Sequence, residues 1–159
     1  MNLAQRLTSG DRWLVVMGVA GSGKTTVGRQ LADELAIDFV DGDDLHPPAN
    51  VAKMSAGEPL DDDDRAPWLE RVAEVLASDE RGAMVACSAL KWSYRQLLRD
   101  RCRAAGRPLR FVYLDVSPEV ARQRVADRLG HFMGTQMVDS QFAALESPVG
   151  EPDVVVWEN

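Results

Sequence analysis

The sequence contains few cysteines and no long hydrophobic run. Cys87 and Cys102 are the only cysteines in 159 residues, which excludes a disulfide framework or a cysteine-rich zinc site and is typical of reduced thiols. No apolar stretch approaches the roughly 20 residues that span a bilayer. Residues 1–11 lack the apolar core of a signal peptide. We therefore expect a cytoplasmic protein.

The chain also has too few basic residues to balance its acids. It carries 18 basic and 25 acidic residues, a formal net charge of −7. Such a surface repels the phosphate groups of nucleic acids and anionic membranes, so neither is expected as a partner. The content of 45% apolar and 27% charged residues is typical of a globular protein, and the length suits one domain with one sizeable core.

Short apolar runs alternate with longer amphipathic stretches, which is typical of βαβ units and a parallel sheet. Most of these runs are continuously apolar, as expected of strands buried on both faces. The sequence predicts five parallel strands with helices on both faces of the sheet. The candidate strands are residues 13–17, 39–40 with their neighbours, 83–87, 110–114 and 154–157.

Apolar residues at helical spacing predict the intervening helices. Such stripes occur in residues 27–35, 68–76 and 90–98. Residues 117–119, Ser-Pro-Glu, have the features of a helix start, because Ser can cap, Pro suits the first helical position and an acid suits the first turn. Thr135 is predicted to cap a last helix.

Residues 18–25 match the phosphate-binding motif G-x-x-x-x-G-K-[ST] between a predicted strand and a predicted helix. Glycines let backbone N–H groups approach a phosphate chain, and the helix N-terminus adds partial positive charge. Lys24 is expected to reach the β- and γ-phosphates, and the Thr25 hydroxyl to ligate Mg²⁺. The alternative is a glycine-rich turn with a solvated lysine. The predicted nucleotide contacts are Gly18, Val19, Ala20, Gly21, Ser22, Gly23, Lys24, Thr25 and Thr26.

Acidic residues follow the second predicted strand. Ligands of open α/β sheets bind beyond the carboxyl ends of strands, so Asp41 and Asp43 are expected beside the acceptor or the metal. One carboxylate can orient an attacking hydroxyl and take its proton, and the other can hold Mg²⁺. The sequence does not assign these two roles. An acidic turn without chemistry is an equally weighted alternative, since Asp and Gly favour turns.

Basic and polar side chains are also expected on the acceptor side. Arg65 lies in an acidic run at a helix start, where it either pairs with those acids or clamps an anionic substrate through its planar fork. The rest of this run is interpreted as favourable charge on a solvated helix N-terminus. Lys53 is a weaker candidate than Arg65. Ser88, Lys91 and Arg95 follow the third strand and are expected to point toward the same edge of the sheet.

Two arginines on one helix predict a lid. Arg124 and Arg128 are spaced i, i+4 and therefore share a face, which suits closure over a transferring phosphoryl group. A solvated basic face is the alternative. His131 follows closely and is of interest only because of these neighbours. Cys87 is interpreted as a small buried residue and not as a nucleophile.

Several segments together resemble the gluconokinases, a group of P-loop small-molecule kinases similar in fold to shikimate kinases. The phosphate loop is shared by many kinases, whereas the other segments are much more specific to gluconokinases. The resemblance covers about residues 13–156. The segments are G-V-A-G-S-G-K-T, L-H-P, P-L-D-D-D-D-R-A-P-W-L, C-S-A-L-K and G-H-F.

This resemblance implies ATP- and Mg²⁺-dependent phosphorylation of D-gluconate at its 6-hydroxyl. It implies a single kinase domain over residues 1–159, the strand order 2-3-1-4-5, a helical lid and a homodimer. The implied metal ligands are Thr25 and Asp41, and Arg65 is the implied partner of the substrate carboxylate. The implied catalytic residues are Lys24, Asp41, Asp43, Arg124 and Arg128. The implied substrate contacts are Asp43, His46, Lys53, Arg65, Ser88, Lys91, Arg95 and His131.

The sequence departs from the family pattern in three places. Ala20 replaces a common serine, and Trp92 stands where lysine is frequent. The family also continues past the fifth strand with a closing helix that helps to hold adenine, which these 159 residues do not include. We therefore expect weaker ATP binding and an exposed apolar face. A shortened product, a different start-to-stop assignment and completion by dimerisation stay open.

Two other functions compete with gluconate phosphorylation. One is another small-molecule kinase on the same scaffold, for example for shikimate or a nucleotide. The other is a nucleotide-binding paralogue that does not transfer phosphate. This sequence has both the phosphate-loop and acceptor residues and the two lid arginines, namely Lys24, Thr25, Asp41, Asp43, Arg124 and Arg128. Their joint presence argues against the second alternative, because a mere binder needs no acceptor carboxylate.

Overall fold

The computed structural model describes residues 1–129 and 135–159, and its centre is a parallel sheet. The strand order is β2-β3-β1-β4-β5, and every neighbouring pair is parallel. Both the five strands and their predicted order are confirmed. The strands are β1 (Trp13–Met17), β2 (Asp38–Asp41), β3 (Ala83–Ala86), β4 (Leu109–Asp115) and β5 (Val154–Glu158).

Helices connect the strands and cover both faces of the sheet. Within the described residues they are α1 (Lys24–Leu35), α2 (Pro48–Ser55), α3 (Asp62–Ser78), α4 (Trp92–Ala104), α5 (Pro118–Leu129) and α6 (Thr135–Ala144). The sequence did not predict α2, because this short helix buries only Asn50 and leaves Val51 and Met54 exposed. Its apolar pattern therefore points to no core face. Thr135, predicted as a cap, is the first residue of α6.

The alternation of side chains along β1 creates one core on each face. Val15 and Met17 pack in a cluster with residues of α3 and α4, including Trp68. Leu14 and Val16 pack in a second cluster, on the α1 side. This arrangement explains why the strand is continuously apolar, since neither of its faces meets water. In the described part of the chain, no helix is long and apolar enough to cross a membrane.

Both cysteines lie in the core on the α3 and α4 side. Burial raises the pKa of the Cys87 thiol to about 12 and that of the Cys102 thiol to about 11. Both thiols are therefore protonated near neutral pH, and a protonated thiol is a poor nucleophile. The interpretation of Cys87 as a small buried residue is confirmed.

A third apolar cluster joins the phosphate loop to the last two helices. Val19 of the loop is buried with Ala121 and Val125 of α5 and with Val138 of α6. The backbone N–H of Ala20 donates to Oε1 of Gln141 in α6 at 2.6 Å. The helices on which a lid would be built are thus packed directly against the phosphate loop.

Candidate active site

The phosphate loop lies between the carboxyl end of β1 and the first turn of α1. Gly21 has a φ of 80°, and a Cβ atom there would lie 2.4 Å from the carbonyl oxygen of Ala121. Only glycine fits this position, because a side chain would clash with backbone that cannot move aside. The backbone N–H of Gly18 donates to the carbonyl oxygen of Ser88 at 3.3 Å, which places the end of β3 beside the loop.

Lys24 points back across this loop. Its Nζ donates to the carbonyl oxygens of Gly18 at 3.0 Å and Val19 at 3.1 Å. Burial lowers the pKa of Lys24, while the charges of Asp43 and Asp41 act in the opposite direction. Among residues 1–129 and 135–159, no carboxylate forms a salt bridge with this ammonium group. A site with these properties suits a polyanion.

The loop also contains a polar atom that lacks a partner. Ser22 is fully buried, and its Oγ is without a hydrogen-bond partner among the described residues. Buried polar atoms are normally hydrogen-bonded. The unpartnered hydroxyl, the glycine-rich turn and the incompletely paired Lys24 together fit the phosphate chain of a nucleotide.

Asp41 is the last residue of β2, and Asp43 lies on the short 3-10 turn, Gly42–Leu45, that directly follows this strand. Oδ1 of Asp41 accepts a hydrogen bond from the backbone N–H of Asp43 at 3.0 Å, so Asp41 caps the turn. The acidic turn considered from the sequence is therefore present. The same turn brings both carboxylates into the electrostatic neighbourhood of Lys24, so the turn also places them at the site.

His46 lies beyond this turn, on the side where an acceptor would bind. Its ring stacks on Trp68, with centroids 4.4 Å apart and an interplanar angle of 14°, and its Nδ1 lies 3.1 Å from Nδ2 of Asn50. Burial lowers the pKa of His46; Asp43 opposes this effect and Arg65 adds to it. The ring is therefore neutral near pH 7, and a neutral imidazole can both donate and accept hydrogen bonds with hydroxyl groups.

Four side chains form a group at the first turns of α3 and α4, which we name the Asp62 cluster: Asp62, Arg65, Lys91 and Tyr94. Nη1 of Arg65 donates to the Tyr94 hydroxyl at 3.2 Å, and Lys91 Nζ donates to Asp62 Oδ1 at 3.0 Å. The Tyr94 hydroxyl donates to the same Asp62 oxygen. Sequence reasoning found Arg65 and Lys91 but missed Asp62 and Tyr94. The available signals were the i, i+3 spacing of Asp62 to Arg65 and of Lys91 to Tyr94.

Arg95 does not reach the acceptor side, which contradicts its prediction as a substrate contact. The residue is fully buried. Its guanidinium donates five hydrogen bonds, which is the full number that its N–H groups can make. The acceptors are the Glu151 carboxylate and the carbonyl oxygens of Ala89, Leu90 and Glu146. Arg95 is therefore a structural residue of the connection after β3.

Two further substrate candidates, Lys53 and Ser88, also have contacts within the protein. Lys53 forms a salt bridge with Asp64 at 2.8 Å, which joins α2 to the start of α3. Asp64 itself completes a capping box with Asp61. The carbonyl oxygen of Ser88 accepts a hydrogen bond from the backbone N–H of Gly18, so Ser88 lies beside the phosphate loop. The structure thus places Ser88 near the site, whereas Lys53 is held at the helix start.

The two predicted lid arginines lie on the loop side of α5. Nη1 of Arg124 lies 3.3 Å from the carbonyl oxygens of Gly21 and Ser22, to which it donates, and Nη2 donates to the carbonyl oxygen of Asn159 at 2.7 Å. Arg128 is exposed and is an electrostatic neighbour of Lys24. His131 lies outside the described residues, and closure of a lid stays a prediction.

The donors available for a metal are oxygens. In the part of the chain that the structure describes, no three His, Cys, Asp or Glu side chains form a group that could hold a metal ion. Mg²⁺ that binds together with a nucleotide needs only one or two protein oxygens, because phosphates and water complete its shell. Thr25 and Asp41 carry oxygen donors of this kind, and their role as metal ligands stays a prediction.

Comparison with known proteins agrees with this geometry. The family model of the AAA domain matches residues 14–152. The chain is 48% identical over 147 residues to a gluconokinase of Gluconobacter oxydans, covering 91% of this chain and 80% of the relative. It is 45% identical to the thermoresistant gluconokinase of Escherichia coli, covering 89% of this chain and 81% of the relative.

Solved structures give the same result. The crystal structure of a gluconokinase from Sinorhizobium meliloti 1021 matches with a TM-score of 0.84 and 45% identity, over 92% of this chain and 82% of that chain. An APS kinase from Mycobacterium tuberculosis, at 23% identity and a TM-score of 0.62, shows the shared fold alone. The phosphate loop, the acidic turn after β2 and this level of identity place the chain in the AAA domain family and among the gluconokinases.

Proposed function

We propose that this chain transfers the γ-phosphoryl group of ATP to the 6-hydroxyl of D-gluconate, giving 6-phospho-D-gluconate and ADP. The observation that carries the proposal is a succession of four side chains in which each acts electrostatically on the next. Lys24 and Asp43 are electrostatic neighbours, as are Asp43 and His46, and His46 and Arg65. A cation for phosphate, a carboxylate, a neutral imidazole and a second cation suit a polyol that carries one carboxylate. The high identity to gluconokinases supports the same substrate.

Residues 18–26 would hold the phosphates of ATP. The backbone N–H groups of the loop and Lys24 supply hydrogen-bond donors, and Lys24 would exchange its two carbonyl contacts for phosphate oxygens. The Thr25 hydroxyl and the Asp41 carboxylate would hold Mg²⁺, which prefers oxygen ligands. When bound, Mg²⁺ supplies positive charge that offsets the charge of the phosphates.

Asp43 would act on the acceptor hydroxyl. It orients the hydroxyl and takes its proton as the oxygen forms a bond to the γ-phosphorus. The bond from that phosphorus to the oxygen it shares with the β-phosphate breaks, and ADP leaves with the electron pair. Lys24, Arg124 and Arg128 stabilise the charge on the transferring group. Arg65 and Lys91 would bind the gluconate carboxylate, and His46 its hydroxyls.

A coupled assay of ADP release tests this function. We expect turnover that depends on gluconate, and little or none with shikimate, glucose or a nucleoside monophosphate as acceptor. Clear turnover with one of these acceptors and none with gluconate would overturn the proposal. ATP binding without turnover on any acceptor would favour the paralogue that does not transfer phosphate.

An Asp43→Asn variant tests the mechanism within the same assay. Loss of the proton acceptor should reduce kcat by about 10²–10⁴-fold, the usual contribution of general base catalysis. Asp44→Asn is the matched control, because Asp44 is an exposed acid in the same turn and should keep a wild-type kcat. Equal rates in the two variants would remove Asp43 from the proposed role.

A further inference from the structure

The Asp62 cluster joins the first turns of two helices through one carboxylate. Oδ1 of Asp62 accepts from the Tyr94 hydroxyl and from Lys91 Nζ, and it lies 3.9 Å from Nη1 of Arg65. The Tyr94 hydroxyl in turn accepts from Arg65. Asp62 and Tyr94 thus contact both cations that would bind the acceptor carboxylate.

Helix capping does not account for these contacts. At the start of α3 the capping box is formed by Asp61 and Asp64, and Asp64 also carries the salt bridge to Lys53. Asp62 has no part in that box. Its contacts instead reach Lys91 and Tyr94, which lie 29 and 32 residues away along the chain.

The hydrogen bonds in the Asp62 cluster use only some of the N–H donors of Arg65 and Lys91. Arg65 donates to Tyr94 through Nη1 alone, and Lys91 donates one hydrogen bond to Asp62. The Arg65 and Lys91 side chains keep 33% and 34% of their surface exposed. A guanidinium has five N–H donors and an ammonium three, so donors of both cations stay available to a second carboxylate.

We propose that Asp62 and Tyr94 are positioning residues that hold Arg65 and Lys91 in the orientation that binds the carboxylate of the acceptor. This inference rests on the proposed function and extends it to the recognition of the acid group. Long cationic side chains lose much rotamer freedom when they bind a ligand, and fixing them beforehand reduces that loss. Arg65 is also the electrostatic neighbour of His46, which places the cluster beside the residue proposed to bind the acceptor hydroxyls.

The protonation states agree with this arrangement. Burial and the hydrogen bond to Asp62 raise the pKa of Tyr94, against the effect of Arg65. Hydrogen bonds from Tyr94 and Lys91 lower the pKa of Asp62. The hydroxyl therefore stays protonated and keeps donating, and the carboxylate stays charged, over the range in which a kinase assay is run.

The test uses Tyr94→Phe and Asp62→Asn, with Asp63→Asn as the matched control. Phe keeps the ring against which the Arg65 and Lys91 cations lie, at 5.9 Å and 5.5 Å from its centroid, and removes only the hydroxyl. We expect the gluconate KM to rise about 3- to 20-fold in both test variants, as for a lost hydrogen bond to a charged group at a partly exposed site. The kcat and the ATP KM should stay within about twofold, and Asp63→Asn should match wild type throughout.

Direct gluconate binding by calorimetry, without nucleotide, gives a second readout. Both test variants should bind gluconate more weakly than wild type. Sorbitol, which has the same carbon chain without the acid, should bind wild type and variants equally. An unchanged gluconate KM in Tyr94→Phe, or an equal rise of the gluconate and ATP KM values, would overturn the positioning role. The wild-type rate on gluconate tests the proposed function alone, whereas the ratio of variant to wild type tests only the positioning.

Discussion

Lys24 is a half-buried cation and Arg95 a fully buried one, and the protein satisfies their hydrogen-bond donors very differently. Arg95 is fully buried and makes five hydrogen bonds, two of them to the Glu151 carboxylate. Lys24 donates to two carbonyl oxygens, and burial lowers its pKa. The charge of Arg95 is therefore balanced by a direct ion pair within the fold, whereas no carboxylate of the described residues pairs directly with Lys24.

Lys24 and Arg95 are nevertheless linked through the segment that follows β3. Arg95 holds the carbonyl oxygens of Ala89 and Leu90, and the neighbouring Ser88 carbonyl oxygen accepts from Gly18 of the phosphate loop. Arg95 thus fixes the connection against which the loop lies. The difference teaches that a cation with a full set of partners supports the structure, and that one with an incomplete set is a candidate for ligand binding.

The largest expected effect is on catalysis, in Lys24→Met. The variant should lose at least about 10²–10³-fold in kcat, because a preorganised donor to the phosphates is removed. Its free energy of unfolding should be equal to or higher than that of wild type, since the replaced charge is incompletely paired. Turnover assays and urea unfolding measure the two quantities. Near wild-type turnover would refute the assigned role.

Arg95→Met should show the opposite pattern. Removing one member of a buried ion-pair network costs about 3–5 kcal/mol of stability, because the Glu151 carboxylate then keeps only Arg99 as a charged partner. Here the carbonyl oxygens of Ala89, Leu90 and Glu146 also lose their donor. Urea unfolding gives the free energy of unfolding. A loss below about 1 kcal/mol would mean that the network contributes little and that the contrast with Lys24 is false.

Much of the fold could be predicted because its signals are local. The strands are continuously apolar since both faces are buried, and the motif of the phosphate loop fits within residues 18–25. The positions of Asp41 and Asp43 followed from the rule that ligands bind beyond the carboxyl ends of parallel strands. The order of the strands, in contrast, came from resemblance to a family.

The roles of individual charged residues could not be predicted, because they depend on distant partners. Lys91 and Arg95 lie in one segment and look alike in sequence, yet Arg95 is buried against Glu151, 56 residues away. Asp62 lies in a run of four acids, of which Asp61 and Asp64 cap the helix. The contacts with Tyr94 and Lys91 in three dimensions separate Asp62 from these neighbours.

The smallest of these effects concerns the pH dependence of stability and tests the Arg95 side of the comparison. Burial alone would raise the pKa of Glu151, but hydrogen bonds from Arg95 and Arg99 outweigh it, and the pKa is lowered. A carboxylate with a lowered folded-state pKa stabilises the fold above its unfolded pKa of about 4.3. This contribution disappears as the pH falls through the lowered folded-state value.

Glu151→Gln removes this titration but keeps an acceptor oxygen. At pH 7 the variant should be less stable than wild type by about 1–3 kcal/mol, less than Arg95→Met, because the amide still accepts a hydrogen bond. The difference should shrink as the pH is lowered below about 4–5, since wild type then loses the charge that the variant lacks. Urea unfolding at a series of pH values measures it. A difference that stays constant or grows on acidification would mean that the arginines do not hold Glu151 as a charged partner, and that Arg95 is a buried cation no better balanced than Lys24.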